Sequence, residues 1–378
     1  MKVGVFHWSF ELKGGGEEIA YHIARAVGVK EVYTLMSEGF AEDIKTVDLS
    51  YLLPRWATIL SKLARRWFIG LQYWFWEMID VRRLGDFDAI ITSGPAVRGI
   101  ITPDYVMHVH YLHSLQRALY DLWHERWKIN NKSLLWFAGS DWLRIRDAVI
   151  DPRVDFYICN SEITKRRLWK YLKRDSVVLH PPINLQDYRF EEQGDFILHL
   201  GRIDLAKQVG PVVRACQAAK TELVLAGPQG DDKKTLAYIK NNEAKNLKYL
   251  GYITKEEKLD LLARCKCVIY NPLNEDFGIV PVEAMASGKP VIVNNTGFPP
   301  ILVRKTGFIE SIEDLEIYRG GIITKGDEES VAKAIKLLER YKWDPKLIRT
   351  FAQPFDFDNF RRKLLSLLEN FRKEFNSI

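Results

Sequence analysis

The sequence predicts an α/β protein made of two domains, each built on a doubly wound parallel sheet. Three observations carry that expectation. Short Val- and Ile-rich runs alternate with amphipathic stretches of helical length. Some runs, such as Val291-Ile292-Val293, are apolar throughout, which suits strands covered on both faces. The 378 residues also exceed what one hydrophobic core usually holds, so two parts of roughly 150–200 residues are expected.

The elements follow in order. Val3–His7 reads as a strand, and Gly14-Gly15-Gly16 opens a helix from about Glu17 to Val27. Glu31–Leu35 is a second strand. Residues 54–83 read as long, aromatic and helical, after which Ala89–Thr92, Tyr105–His110 and Phe156–Cys159 resume the strands. In the second half Phe196–Leu200, Glu222–Ala226, Leu247–Tyr249, Val268–Tyr270 and Pro290–Val293 read as strands with helices between them. Pro181-Pro182 stiffens the chain and the stretch up to Gly194 is polar and turn-like, so the join lies there. The expected division is 1–188, 189–354 and a closing helix over 355–378. That helix carries an apolar stripe of Phe357, Phe360, Leu364, Leu365 and Leu368.

Composition narrows the class. With 47% hydrophobic and 28% charged residues, wholesale disorder is excluded. No apolar run approaches the roughly 18–20 residues of a membrane span. Lys2–Phe6 reads as a buried strand and not as a secretory leader, so a cytoplasmic location is expected. The net charge of +6 suits phosphates or anionic lipid and does not argue for nucleic acid. The cysteines are too few and too irregular for a disulfide framework, and Cys265-Lys266-Cys267 is spaced too closely for a zinc pair. His108 and His110 share a strand face, but no third ligand stands at metal spacing. Gly14-Gly15-Gly16 lacks the spacing of a dinucleotide fingerprint, against a dehydrogenase.

Chemistry concentrates in two segments. After the strand ending at Tyr270, a loop leads to a helix starting near Val280, with Pro281 in its first turn and Gly288 ending it. Backbone N–H groups around Phe277, Gly278 and Ile279 then offer an anion or hydroxyl site. Glu275 before that helix and Glu283 within it are placed to grip two parts of a hydroxyl-rich ligand; two solvated glutamates are the plain alternative. Gly201-Arg202-Ile203-Asp204-Leu205-Ala206-Lys207 follows the first strand of the second half. Its Arg fork and Lys point charge suit a diphosphate and its leaving charge.

Glu275-x7-Glu283 within EDFGIVPVEAMASGKPVI, with GRIDLAK upstream, resembles the donor domain of retaining, nucleotide-sugar-dependent glycosyltransferases of family 4 with the GT-B fold. The Gly14–Glu18 turn, His110–Ser114, Asn160-Ser161-Glu162 and His180–Asn184 resemble the same family, so the likeness spans almost the whole chain. YLHSLQRALYD (111–121) is closest to bacterial mannosyltransferases of surface-polysaccharide precursors. The resemblance implies two Rossmann-like domains facing across a cleft, the first for the acceptor and the second for the donor, with the closing helix packed back on the first. The epimerases of similar fold and a non-catalytic sugar-nucleotide scaffold are the rival readings.

By the same resemblance, Arg202 and Lys207 hold the donor diphosphate, Glu283 the ribose, and Glu275 the transferred hexose. Gly201, Phe277, Gly278, Ile279 and Val280 line the donor side. Gly15 and Gly16 admit the phosphates or the acceptor, His113 lies near the transferred sugar, and His110 and Arg117 are acceptor-side candidates. No metal or other cofactor is implied, because Arg and Lys do that electrostatic work. The implied partners are a nucleoside-diphosphate sugar, with mannose or glucose as the hexose, and a glycan or lipid-linked acceptor. Gly297-Phe298-Pro299-Pro300-Ile301 departs from the family's acid-terminated turn, and Asn184 stands where an Asp is frequent.

Aromatics are unevenly spread, with ten of eleven tryptophans before residue 190. Trp56, Trp67, Trp74 and Trp76 with Lys62, Arg65 and Arg66 fit an interfacial helix on anionic lipid, or else a core helix pair. Lys165-Arg166-Arg167 with Lys170, Lys173 and Arg174 forms a second basic cluster, alternatively a solvated face. Peripheral association with the inner face of the cell membrane is the corresponding expectation.

Overall fold

The computed structural model describes residues 1–10, 14–36, 43–63, 69–125, 133–191, 194–242 and 246–377. It divides into two units. Unit 1 takes Met1–Pro182 together with Asp358–Ile378, and unit 2 takes Ile183–Phe357.

Unit 1 is built from β1 (Val3–His7), α1 (Gly15–Val27), β2 (Glu31–Thr34), β3 (Lys45–Asp48), α2 (Arg55–Leu63) and α3 (Ile69–Glu77). It continues with β4 (Ala89–Ser93), β5 (Met107–Leu112), α4 (Leu134–Ile150), β6 (Phe156–Cys159), α5 (Glu162–Leu172) and β7 (Val177–Val178). Its sheet runs β3-β2-β1-β4-β5-β6-β7 and is parallel throughout. β4 and β5 are buried at every position, as a sheet covered on both faces requires.

Unit 2 comprises β8 (Phe196–Leu200), α6 (Val209–Ala218), β9 (Glu222–Ala226), α7 (Lys233–Asn241), β10 (Leu247–Tyr249), α8 (Lys255–Arg264) and β11 (Cys267–Tyr270). Then come α9 (Ile279–Ala286), β12 (Val291–Asn294), α10 (Pro299–Arg304), β13 (Phe308–Ile312), β14 (Leu315–Tyr318), β15 (Gly321–Thr324), α11 (Glu328–Leu337) and α12 (Pro345–Thr350). The sheet order is β10-β9-β8-β11-β12-β15-β14-β13. β10 through β15 in that order are parallel; β14 and β13 are antiparallel additions at one edge. Ile197, Leu223, Ile269 and Ile292 from the strands and Val212, Val213 and Val331 from the helices form the core.

The doubly wound parallel architecture expected from the sequence is thus present in both units. In each, strand order reverses between two central neighbours, β1 and β4 in unit 1 and β8 and β11 in unit 2. The space outside the C-terminal ends of those strands is where such sheets bind ligands.

The last helix, α13 (Phe357–Phe375), belongs to unit 1 from Asp358 onward. Phe371 stacks on Phe156 of β6 at 4.4 Å between ring centres, and Phe360 meets the edge of Tyr111 of β5. Phe360, Leu364 and Leu368 are buried, whereas Leu365 is exposed and does not belong to the stripe.

Within the aromatic stretch 54–83 the described residues form α2, α3 and a short 3-10 turn (Val81–Arg83). Tyr73, Phe75 and Trp76 are core residues, while Trp56 and Trp74 are exposed. Arg65, Arg66 and Trp67 lie outside the described residues, as does the side chain of Lys62. Cys265 and Cys267 are buried, and burial pushes the Cys265 thiol up to about 12.

Candidate functional site

Each unit gathers polar groups at its strand-order reversal. In unit 2, Gly201 follows β8, and the segment after it is fixed by its own carboxylate: Asp204 caps the turn Leu205–Lys207 by accepting from the Lys207 N–H at 2.9 Å. The Lys207 side chain therefore projects from a held backbone toward the end of β11. There its ammonium lies 2.8 Å from Glu275 Oε2 and donates to the Tyr270 hydroxyl at 3.2 Å. Burial disfavours the charge on Lys207, but the Glu275 carboxylate and Tyr270 oppose it, and the net pKa is raised well above that of a free lysine. Arg202 is largely exposed and pairs with Asp204 at 3.3 Å, which leaves its guanidinium at the surface of the same loop.

The loop between β11 and α9 is held from behind. Asn294 donates to the Pro272 carbonyl at 2.7 Å, Thr296 accepts from the Asn274 N–H at 3.1 Å, and Phe298 N–H donates to the Glu275 carbonyl. Gly297 has φ +73°, and a Cβ there would stand 2.4 Å from both the N and the O of Glu275. Gly278, the N-cap of α9, has φ +81°, and a Cβ would meet the Tyr270 ring at 2.8 Å. Both turns accept only glycine without rearrangement. The Phe277 ring is buried, stacked on Phe298 at 5.2 Å and set edge-on to Phe355, so its side chain supports the loop. Ile279 and Val280 occupy the first turn of α9, where N–H groups have no intrahelical acceptor.

Glu283 has a different environment from Glu275. It is buried, and its Oε1 accepts from the Tyr188 hydroxyl at 2.9 Å and from Lys258 Nζ at 2.6 Å. Arg349 in turn donates to the carbonyls of Leu185, Tyr188 and Ala286, tying the Tyr188 segment to the end of α9. The two carboxylates of the Glu-x7-Glu spacing thus each have a lysine partner, but not the same one.

In unit 1, His7 at the end of β1 is in register with Ser93 at the end of β4, and its Nδ1 lies 2.7 Å from the Ser93 hydroxyl. His113, just past β5, sets its ring edge-on to His7 at 6.3 Å. The Nε2 atoms of His7 and His113 have no hydrogen-bond partner among the described residues. Burial lowers the pKa of both, His113 to about 4, so both imidazoles are neutral near pH 7. Gly16 in the first turn of α1 faces His7, where a Cβ would lie 3.9 Å from the ring. At Gly15 a Cβ would touch nothing within 4 Å, so internal packing does not demand a glycine there.

His110 has hydrogen-bond partners of its own. It is fully buried, with Nδ1 2.8 Å from the Thr92 hydroxyl, which also lies 2.9 Å from His108 Nε2. The two histidines are thus joined through Thr92. Arg117 is paired with Asp121 at 2.9 Å, and Asp121 also meets Arg167. Below these residues Arg98 is buried among Asp147, Asp151 and Tyr157, with Tyr73 and Tyr120 donating to Asp147.

Sequence reasoning missed Tyr270, Tyr188, Lys258, Thr296 and a site place for His7. Tyr270 was legible only as the last residue of a strand. The others reach their partners from distant segments and carry no local signal.

Residues 180–352 match the family model described as glycosyl transferases group 1. The O-antigen chain mannosyltransferase B of Escherichia coli is 24% identical over 173 residues, covering 42% of this chain and 45% of that protein. The alpha-1,3/1,6-mannosyltransferase ALG2 of Dictyostelium discoideum is 27% identical over 204 residues, 41% of this chain and 49% of that protein. The chain spans about half the length of the curated relatives it matches. Among solved structures, sucrose-phosphate synthase from Thermosynechococcus elongatus aligns with a TM-score of 0.67 at 15% identity, over 98% of this chain and 99% of that one. Anabaena HepE, solved in complex with UDP, aligns with a TM-score of 0.65 at 16% identity, over 98% and 100%. Residues 180–352 are thus similar to the glycosyl transferases group 1 family, and the fold of the chain is that of the GT-B glycosyltransferases.

Proposed function

We propose that the protein is a retaining glycosyltransferase that moves a hexose, mannose before glucose, from a nucleoside-diphosphate sugar to a hydroxyl of a glycan or lipid-linked acceptor. The observation that carries the proposal is the Lys207–Glu275–Tyr270 constellation at the strand-order reversal of unit 2, inside the matched domain. Mannosyltransferases among the relatives favour mannose and favour transfer over epimerisation. UDP bound to HepE supports a nucleotide-sugar donor.

In this reading the acceptor oxygen bonds to the anomeric carbon on the face from which the phosphate oxygen departs. The acceptor's proton passes to that leaving oxygen. Arg202 and Lys207 act as charge builds on the diphosphate, and such preorganised donors are worth most in the transition state. Glu275 takes the hexose hydroxyls, with N–H groups at the start of α9 beside it. Glu283 takes the ribose. Neutral His113 offers a hydrogen bond near the sugar, and Gly15 and Gly16 give the ligand access to the start of α1. Activity is expected to survive a chelator, because the two cations do the work of a metal.

Thermal-shift screening against UDP, GDP, ADP and their sugar conjugates tests the donor, since a ligand selective for the native state raises Tm. Protection by GDP-mannose above that by GDP, lost in Lys207→Ala, is the expected result. No protection by any nucleotide sugar would overturn the reading.

A further inference from the structure

The end of β1 carries a buried polar atom that the fold itself does not use. His7 is 1% exposed, yet its Nε2 meets no partner among the described residues. Buried nitrogens of this kind are rare in native folds, and each asks for an explanation. The place is informative. β1 and β4 are the neighbours at which the strand order of unit 1 reverses, and His7 and Ser93 are the paired residues at their C-terminal ends.

Ser93 settles which hydrogen the ring carries. Nδ1 of His7 lies 2.7 Å from the Ser93 hydroxyl. Burial and then His113 disfavour charge on the ring, and a hydrogen bond with the Ser93 backbone opposes them. A backbone group that favours the protonated ring is a carbonyl, which only accepts. Nδ1 therefore holds the one hydrogen of the neutral imidazole, and Nε2 is left with its lone pair. Nε2 can take a hydrogen but has none to give.

The start of α1 supplies the opposite groups. Gly16 faces the ring, and a Cβ there would stand 3.9 Å from Cε1, the carbon between the two nitrogens. The first N–H groups of a helix lack intrahelical acceptors, and Gly14, the N-cap, has no side chain to cap them. Glu17 and Glu18 add negative charge to the same turn. A hydroxyl fits these surroundings, because it gives its hydrogen to Nε2 and accepts from an N–H. A diphosphate oxygen fits poorly, since it has no hydrogen for Nε2 and meets two carboxylates.

We infer that His7 Nε2 accepts a hydrogen bond from a sugar hydroxyl of the acceptor at the start of α1, and so orients that sugar. The hydroxyl it holds is a neighbour of the one that attacks, because the attacking hydroxyl gives its proton to the leaving oxygen. Calling this sugar the acceptor rests on the proposed transfer reading. Between the phosphates and the acceptor, the inference assigns the acceptor to Gly15 and Gly16.

Nitrogen NMR of the full chain, labelled at histidine, tests the contact with methyl α-mannoside and methyl α-glucoside as probes. The His7 signals, identified by their absence from His7→Gln, are expected to be those of the Nδ1–H tautomer. The Nε2 resonance is expected to move upfield on adding methyl α-mannoside, as a bare imidazole nitrogen does on accepting a hydrogen bond. This reads the contact in the parent chain, whether or not the short glycoside is a transfer substrate. In transfer from GDP-mannose, His7→Phe is expected to raise the acceptor KM roughly 2–10-fold with the donor KM unchanged, and His7→Gln, which restores an acceptor oxygen, to recover most of it. Among mannosides lacking one hydroxyl, the one that costs the parent this factor should cost His7→Phe nothing. Protection by GDP-mannose on the same samples reports the donor. Its absence would defeat the transfer reading and leave a mannoside-induced shift standing. An Nε2–H tautomer, an Nε2 resonance moved by neither glycoside and so met by water only, or losses on every deoxy mannoside that are equal in parent and His7→Phe would overturn the inference.

Discussion

Lys207 Nζ rests 2.8 Å from Glu275 Oε2 although 68 residues separate them, and Tyr270 completes the group from the end of β11. In the proposed reading the pair places the cation that meets the diphosphate against the carboxylate that meets the sugar. Lys207→Met and Glu275→Gln are each expected to lower turnover by about 10²–10³, the usual loss of a preorganised electrostatic group. The double variant is expected to lose less than the product of the two, because neighbours that act together are not additive. Steady-state kinetics on all four proteins measures this, and strict multiplicativity would mean that the two side chains act independently.

Gly297 supports Glu275 from behind. Its φ of +73° disfavours a side chain, and a Cβ would press on the Glu275 backbone at 2.4 Å. Gly297→Ala is expected to cost on the order of 1–3 kcal/mol from the backbone conformation alone. Moving Glu275 should erase the additional protection that a donor's sugar gives over the bare nucleotide. Tm with nucleoside diphosphate and with nucleotide sugar separates the two effects; equal protection in variant and parent would show that the turn does not position Glu275.

Tyr188 and Lys258 share Glu283 Oε1, so together they fix which way that carboxylate points. Tyr188→Phe keeps the ring and removes one hydrogen bond, worth roughly 0.5–1.5 kcal/mol, or 1.5–3 to a charged group. The expected result is a donor KM raised several-fold with kcat nearly unchanged, and a weaker preference for ribose over deoxyribose nucleotides. A fall in kcat at constant KM would place Tyr188 in the chemical step instead.

How far the sequence discloses this site depends on whether a signal is local. Glu275 and Glu283 are legible because one loop and one helix start set both, and Gly278 marks the turn between them. Tyr188 lies 95 residues from Glu283, and His7 lies 86 from Ser93; neither pair leaves a trace in any short window. Parallel strands such as β9, β11 and β12 announce themselves through continuous apolar runs. β13 does not, because Phe308–Ser311 is exposed at the sheet edge and Glu310 interrupts it. β3 is missed likewise, with Lys45 and Asp48 exposed at the opposite edge of unit 1. The 54–83 stretch misleads for a further reason: aromatic density is the same whether a ring faces the core, as Trp76 does, or water, as Trp56 does.

The histidines predict an acid-labile first unit. Burial lowers His7, His108, His110 and His113 in unit 1, with His108 brought to about 3 and His113 to about 4; in unit 2 burial lowers His199 to about 4. An unfolded histidine titrates near 6.5, so below that pH the unfolded chain binds protons the folded chain refuses. Stability from these groups is therefore complete above pH 6.5 and declines as pH falls toward 4. Each contributes a slope approaching about 1.4 kcal/mol per pH unit in that window. Among the described residues burial lowers four histidines in unit 1 against one in unit 2, so calorimetry between pH 7.5 and 5 should show the unit 1 transition falling first and the two separating. A nucleotide raising only the later transition would identify it as unit 2. A single transition with constant Tm down to pH 5 would mean that these imidazoles already carry protons in the folded chain.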